Sequence, residues 1–368
     1  MRLTIRLMTA SISPGDAIGN YISSLARLLR GWGARVELYA DHVDPAYGAP
    51  VYPSHSYPRG GDGVLWYHYS IYSDNVAVAL ASGDYKVIDY HGVSPPHLFS
   101  GENERLAALC RRGLETLPAV AANANYLVTH SGYTTAELRA LGQENICQYP
   151  LFVDTAHFRG EDEELAALLA RASYMLFVGR IVPQKAIHTL LEIFAGVQAR
   201  FPHLMLILAG ARDLASRYQS ILEQRVKALG LEGRVLFTGQ VNNPAVLAAL
   251  YRHARLTVIA SEWESFCVPV AESLYFGTPV AVNNVPPLPE VAGPAGIVFD
   301  STEPATAATT IGNLLEDESR YQTLRERAQQ QAKNYSGRAL ERNVRLLMQL
   351  VLRDTMISPD RSNTEAVE

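Results

Sequence analysis

The chain has 368 residues, too many for one average domain and comfortable for two. Apolar residues make up 48% and charged residues 19%, which is a globular composition, and a net charge of -5 removes any global reason to expect nucleic acid as a partner. Three cysteines, Cys110, Cys147 and Cys267, are widely spaced and odd in number; they form no metal or disulfide pattern, which suits a reducing compartment. Arg2 and Arg6 interrupt the apolar stretch at the start, which does not suit the core of a signal peptide, and no run approaches the ~18 apolar residues of a membrane span. The expectation is a soluble, cytoplasmic protein able to touch the inner face of a membrane.

Short apolar runs then alternate with helical patterns. The first half carries strands at 3–10, 34–41, 63–69, 85–92, 125–131 and 145–150; the second at 174–180, 204–210, 234–240, 256–262, 278–284 and 296–300. Nearly continuous apolar strands are buried on both faces, as in a parallel sheet. Helical stretches between them, such as 17–31 and 214–230, make these doubly wound α/β domains. The break is the charged, strand-free stretch 158–173. It divides the chain into a domain over 1–160 and a domain over 161–336. A helix over 337–354 follows, and the polar, aperiodic tail 355–368 is expected to be disordered. The helical stretch 103–120 carries Arg105, Arg111 and Arg112 beside Leu106, Leu109 and Leu114. It reads either as a basic amphipathic helix for anionic lipid or as an ordinary helix whose leucines face the core. Glu102, Glu104 and Glu115 dilute the arginines and favour the core.

Open α/β sheets bind ligands at the carboxyl ends of their strands, so the residues after each strand carry the chemistry. The most specific stretch is SEWESFCVPVAESLYFGTPVAV, 261–282. Pro269 suits a first helical turn and Gly277 a stop, so a helix is expected over about 269–276. The backbone amides of Phe266, Cys267 and Val268 would point out of its N-terminus, where phosphate and sugar hydroxyls are attracted. Glu264 lies in the loop and Glu272 in the first turn. One carboxylate can face a sugar and the other can accept from paired ribose hydroxyls. At these residues the chain resembles retaining glycosyltransferase family 4, with its E-x7-E motif. The resemblance gives Glu264 to the donor sugar and Glu272 to the ribose. Cys267 departs from the glycine common there.

YMLFVGRIVPQKAIHTLLEIF, 174–194, reads as strand, Gly179-Arg180, a short loop, Lys185, then helix. Arginine binds a diphosphate through two parallel donors and lysine as a point charge, and Arg180 and Lys185, five apart across a loop, can both reach one site. The family has the same GR and K, usually followed by glycine; here Ala186 follows. With these cations on the leaving group no metal is needed. Glu161-Asp162-Glu163 is the nearest thing to an acidic metal clamp and reads as a solvated helix start. Gly210 and Gly239 end two further strands, and by resemblance their loops line the base, with backbone near Val241 in contact and Arg212 nearby.

In the first half, Gly15 resembles the first glycine of the family's glycine loop. Asp16 replaces the second and would meet acceptor hydroxyls or cap the helix. His91 ends the fourth strand where the family often has a histidine near the donor sugar, and its imidazole can donate to a sugar hydroxyl. His68 is a weaker acceptor-side candidate. Each residue taken alone is also what a surface loop, tight turn or structural histidine looks like, and the combination carries the reading. The resemblance covers about residues 1–355 and is most specific in 174–282. It implies the GT-B fold, with the final helix crossing back to the first domain. It also implies same-face transfer of a sugar from a nucleotide-diphosphate sugar, UDP- or GDP-linked, to a glycan or lipid-linked hydroxyl acceptor, without cofactor or metal. A sugar-nucleotide epimerase and a non-catalytic scaffold on the same fold are the alternatives.

Overall fold

The computed structural model describes residues 3–59, 61–155, 158, 160–211 and 216–357. Strands β1 (Thr4–Ile12), β2 (Arg35–Val43), β3 (Tyr52–Pro53), β4 (Val64–Tyr69), β5 (Tyr85–Tyr90), β6 (Tyr126–Thr129) and β7 (Ile146–Gln148) form one sheet, ordered β3-β2-β1-β4-β5-β6-β7. Strands β8 (Tyr174–Val178), β9 (Met205–Ala209), β10 (Val235–Gly239), β11 (Leu256–Ile259), β12 (Val280–Asn283) and β13 (Gly296–Phe299) form the other, ordered β10-β9-β8-β11-β12-β13. Neighbouring strands pair in parallel in both sheets. The twelve expected strands are present; β3, two residues at the edge of the first sheet, is too short to leave a sequence pattern.

Helices α1 (Ala17–Gly31), α2 (Asn75–Ala81), α3 (Glu104–Ala122) and α4 (Gly132–Ala140) cover the first sheet. Helices α5 (Glu163–Leu169), α6 (Ile187–Arg200), α7 (Ser216–Ala228), α8 (Pro244–His253), α9 (Val268–Tyr275), α10 (Leu288–Ala292), α11 (Pro304–Glu316) and α12 (Glu318–Gln331) belong to the second. The strand-free stretch expected at 158–173 thus holds α5, capped by Asp162, whose side chain accepts from Leu165 N–H at 2.9 Å. Each sheet reverses its winding once, between β1 and β4 and between β8 and β11. These switch points are where crevices open at the strand ends.

The main hydrophobic cluster runs through both halves. It takes in Ile5, Leu7 and Leu25 of the first half, Phe177, Phe194 and Val282 of the second, and Tyr149, Leu151 and Val153 of the connection between them. A second cluster fills the other face of the first sheet, around Tyr67, Tyr69, Ile88 and Leu138. Arg6, inside β1, is tolerated there because its guanidinium meets Asp84 at 2.7 Å, Asp62 at 3.0 Å and Glu37 at 3.3 Å.

Helix α13 (Gly337–Ile357) returns to the first sheet. Its Arg345 lies 4.7 Å from the centre of the Trp32 ring, and its Asp354 accepts from the Tyr85 hydroxyl at 3.0 Å. The helix therefore continues past the expected start of a disordered tail at Thr355, because its last turn is tied to β5; residues 358–368 lie outside the described residues. In α3, Leu106 and Leu114 pack on the second core cluster and the Arg112 guanidinium stacks 3.6 Å over Tyr72, which is the core-facing arrangement. Among the described residues no helix is long and apolar enough to cross a membrane.

Candidate active site

The loops after β8 and β11 meet at the second switch point. Gly210 follows β9 with no room for a side chain, since a Cβ would lie 1.7 Å from the Gly179 carbonyl, and its N–H donates to the Gly239 carbonyl at 2.9 Å. Three strand ends, at Gly179, Gly210 and Gly239, are thus drawn into a flat edge that a ligand can approach. Arg180 is exposed above it and has no partner among the described residues. Lys185 Nζ lies 2.7 Å from Glu264 Oε1, which also accepts the Ser261 hydroxyl at 2.8 Å. Val241 is half-buried against the cluster of Tyr174, Ala209 and Tyr251, and Arg212 lies outside the described residues.

The two residues that stand where the sequence resemblance expects glycine share a conformation. Ala186 (φ 47°) and Cys267 (φ 83°) are, among the described residues, the non-glycine residues with left-handed φ. Each is the turn into a helix, α6 and α9. This is the physical reason glycine suits both places. Cys267 is buried, and burial beside the Glu264 carboxylate pushes its thiol up. No side chain caps α9; Pro269 carries no N–H and Val270 N–H donates to the Cys267 carbonyl at 3.1 Å, so of its first three residues Val268 is the one that offers an N–H to a ligand. The helix begins at Val268, one residue earlier than expected, so Glu272 stands one turn in. Its Oε2 accepts the Tyr251 hydroxyl at 2.7 Å. Burial raises its carboxyl above the ordinary value and the Tyr251 bond opposes that rise. Glu272 meets Asn20, Tyr21, Phe152 and Asp154 of the first domain around a cavity of about 40 Å³.

On the first domain, Gly15 takes φ 77° ahead of α1. Asp16 caps that helix, accepting from Gly19 N–H at 3.0 Å, so of its two expected roles the cap is the one seen. His68 is a correction: it is fully buried, with Nδ1 3.1 Å from His91 Nε2, and turns into the protein rather than toward an acceptor. His91 is also buried, with Nδ1 unpartnered among the described residues. Both histidines gather on Asp89. Its Oδ1 lies 3.3 Å from His91 Nε2 and 2.7 Å from His130 Nε2, and its Oδ2 accepts Trp66 Nε1–H at 2.9 Å. The other nitrogen of His130, Nδ1, lies 3.0 Å from the Tyr149 carbonyl oxygen. Burial lowers the His68 imidazole from 6.5 to about 4 and holds His91 well below its ordinary value. Burial opposes ionisation of Asp89, but the surrounding imidazoles overcome it and hold the carboxyl below its usual range. The Tyr21 ring covers the three imidazoles edge-on at 5.3–5.8 Å and separates them from the cavity at Glu272.

His68, Asp89 and His91 bring ligand atoms within 4.8 Å of one another, as a metal site would. Asp89 is already engaged by Trp66 and His130, however. The outer nitrogens of His68 and His91 also lack the acceptor that a metal-bound histidine normally has. The donor set fits a proton-sharing network better. Asp89 and His130 were missed in the sequence, although a signal existed. Asp89 and His91 are two residues apart and so share a face of β5, and His68 is the register partner of Asp89 on β4.

The two halves touch at the N-terminus of α4. Ser131 Oγ donates to the Ser265 carbonyl at 2.9 Å, Gly132 N–H donates to Glu290 at 2.9 and 3.1 Å, and Trp263 Nε1–H donates to the Tyr133 hydroxyl at 3.2 Å. Beside this seam lies a cavity of about 320 Å³ between Phe266, Glu290, Gln148 and Arg342.

The family model described as glycosyl transferases group 1 matches residues 162–334, the second half of the molecule. The O-antigen chain mannosyltransferase B of Escherichia coli is 34% identical over 172 residues, covering 46% of this chain and 43% of that protein. A D-inositol 3-phosphate glycosyltransferase of Corynebacterium urealyticum is 30% identical over 165 residues, covering 44% of this chain and 39% of that protein. The chain thus spans less than half the length of these relatives. The whole fold resembles that of sucrose-phosphate synthase from Thermosynechococcus elongatus, with TM-score 0.77 and 20% identity over 97% of this chain and 100% of that one. It also resembles Anabaena Alr3699/HepE in complex with UDP and glucose, with TM-score 0.74 and 18% identity over 95% of this chain and 100% of that one. The architecture is GT-B: two Rossmann-like parallel-sheet domains.

Proposed function

We propose that this protein is a retaining glycosyltransferase that moves a sugar from a nucleoside diphosphate sugar to a hydroxyl acceptor. The observation that carries the reading is the Lys185–Glu264 contact at 2.7 Å, beside the exposed Arg180, at the second switch point and ahead of the uncapped N-terminus of α9. Lys185 and Arg180 draw the diphosphate and Glu264 holds the sugar, while Glu272 holds the ribose. In the reaction the bond from the anomeric carbon to the diphosphate oxygen breaks. The acceptor oxygen bonds to the same face of that carbon, and the acceptor's proton passes to the departing diphosphate. Cations on the leaving group make a metal unnecessary in this scheme. A UDP- or GDP-linked hexose is the donor class, supported by the UDP-glucose complex of HepE. Assembly of a polysaccharide or another glycan is the role, supported by the O-antigen relative.

The test is a thermal-shift panel of UDP-, GDP-, ADP- and dTDP-sugars, because a ligand that binds the folded state raises its melting point. One nucleotide class should stabilise the wild type and lose its effect in Arg180→Ala. Product analysis with and without added acceptor then separates transfer from epimerisation, which alters the donor alone. No stabilisation by any of the four would remove the reading.

A further inference from the structure

The loop between β11 and α9 carries Glu264, yet the side chain next to it leaves its own domain. Trp263 packs its indole on the second core cluster of the first domain and donates to the Tyr133 hydroxyl at 3.2 Å, with the two rings edge-to-face at 6.4 Å. Gly92, which follows His91, lets the loop that carries Trp263 approach closely at Ser265. A Cβ there would lie 2.7 Å from the Ser265 Cβ and 3.4 Å from the Trp263 ring, and the residue takes φ 79° besides.

The backbone of Trp263 points the other way. Its carbonyl accepts from Gln184 Nε2 at 3.1 Å, and Glu262 N–H donates to the Gln184 carbonyl at 3.0 Å. Gln184 is buried and precedes Lys185. It bolts the cation loop after β8 to the acid loop after β11. The first domain, the indole, Gln184, and the Lys185–Glu264 pair therefore form one mechanical chain.

We propose that Trp263 is a positioning residue that couples closure of the two domains to the placement of Lys185 and Glu264, so that the cleft supports transfer only when the indole is seated on the first domain. The inference rests on the proposed transferase reading for what Lys185 and Glu264 do, but the coupling is a property of the fold. A displaced loop costs more in rate than in nucleotide grip, because the base and ribose contacts lie elsewhere and only the Lys185 share of the diphosphate grip moves with the loop. A shift of about 1 Å in a reacting group can cost roughly 10² in rate.

The experiment compares wild type, Trp263→Ala, Trp263→Phe and Gly92→Ala. It measures kcat for transfer, affinity for UDP and GDP as probes, and hydrogen exchange at the Gly132 amide, which Glu290 accepts from across the seam. Trp263→Ala should lose roughly 10² in kcat, lose less than about tenfold in nucleotide affinity, and lose protection at Gly132. Trp263→Phe should recover most of the kcat, because a ring remains seated. Gly92→Ala, which wedges the seam from the other side, should open Gly132 and slow transfer in the same way. Unchanged Gly132 protection in both Trp263→Ala and Gly92→Ala overturns the coupling, as does equal loss of kcat and nucleotide affinity. Should Trp263→Ala fail to fold, Gly92→Ala and Trp263→Phe decide. Should wild type transfer no sugar, the proposed function fails while the exchange measurement still decides the coupling.

Discussion

Nζ of Lys185 stands 2.7 Å from Oε1 of Glu264, and that oxygen also holds the Ser261 hydroxyl at 2.8 Å. An ammonium so placed is oriented but not exhausted, since it has three donors and two remain for phosphate oxygens. Arg180 adds a planar fork from the neighbouring strand end. Lys185→Ala and Arg180→Ala should each slow transfer by roughly 10². Activity should persist in EDTA; loss in chelator that a divalent ion restores would show that a metal carries the leaving-group charge.

Glu272 spends one oxygen on Tyr251, and its other oxygen has no partner among the described residues. Glu272→Ala is expected to weaken nucleoside diphosphate binding by about 1.5–3 kcal/mol, as loss of a charged hydrogen bond does. Calorimetry with ribose and 2′,3′-dideoxyribose forms checks the assignment. Wild type should prefer ribose and the variant should not. Equal preference in both proteins would mean that Glu272 does not hold the ribose.

The left-handed turns at Ala186 and Cys267 predict different balances on replacement by glycine. Ala186→Gly relieves backbone strain and removes one methyl, and should stabilise the protein by roughly 0.5–1 kcal/mol. Cys267→Gly relieves the same strain but also removes a buried thiol from the main core, so it should come out near neutral. Urea unfolding measures both; destabilisation by Ala186→Gly would contradict the strain account.

Much of this was legible in the residues. Near-continuous apolar strands such as YMLFV reveal parallel sheets because both faces are covered, and Pro269 with Gly277 brackets α9 to within a residue or so. The cluster around Asp89 was hidden because its four members lie on or just past the ends of three different strands and meet only through register, which the sequence does not print. The role of Trp263 was hidden for a related reason. It lies inside the most specific motif, but its indole belongs to the other domain's core. Short β3 and the last turn of α13 depend on tertiary contacts rather than on local pattern.

The buried imidazole of His68 predicts acid sensitivity. Its pKa falls from 6.5 to about 4 on folding, so between those values the unfolded chain binds the extra proton and stability drops as pH falls. The contribution is present above pH 6.5, amounts to about 2 kcal/mol lost by pH 5, and is gone below pH 4. Asp89, held below its usual range, adds a further loss under its unfolded value of 3.8. Denaturation midpoints at pH 7.5 and pH 5 should converge in His68→Gln relative to wild type. An equally steep pH dependence in the variant would place the sensitivity elsewhere.

Under the proposed function, Arg180, Lys185 and Glu264 cleave a nucleoside diphosphate sugar with retention at the anomeric carbon. Proton NMR can follow each of the UDP-, GDP-, ADP- and dTDP-hexoses with the protein through slow hydrolysis, where water takes the place of the acceptor. At least one donor should release its nucleoside diphosphate, the first sugar to appear should keep the donor's anomeric configuration, and Lys185→Ala should abolish the signal. A first product of inverted configuration, or cleavage that survives unchanged in Lys185→Ala, would contradict it.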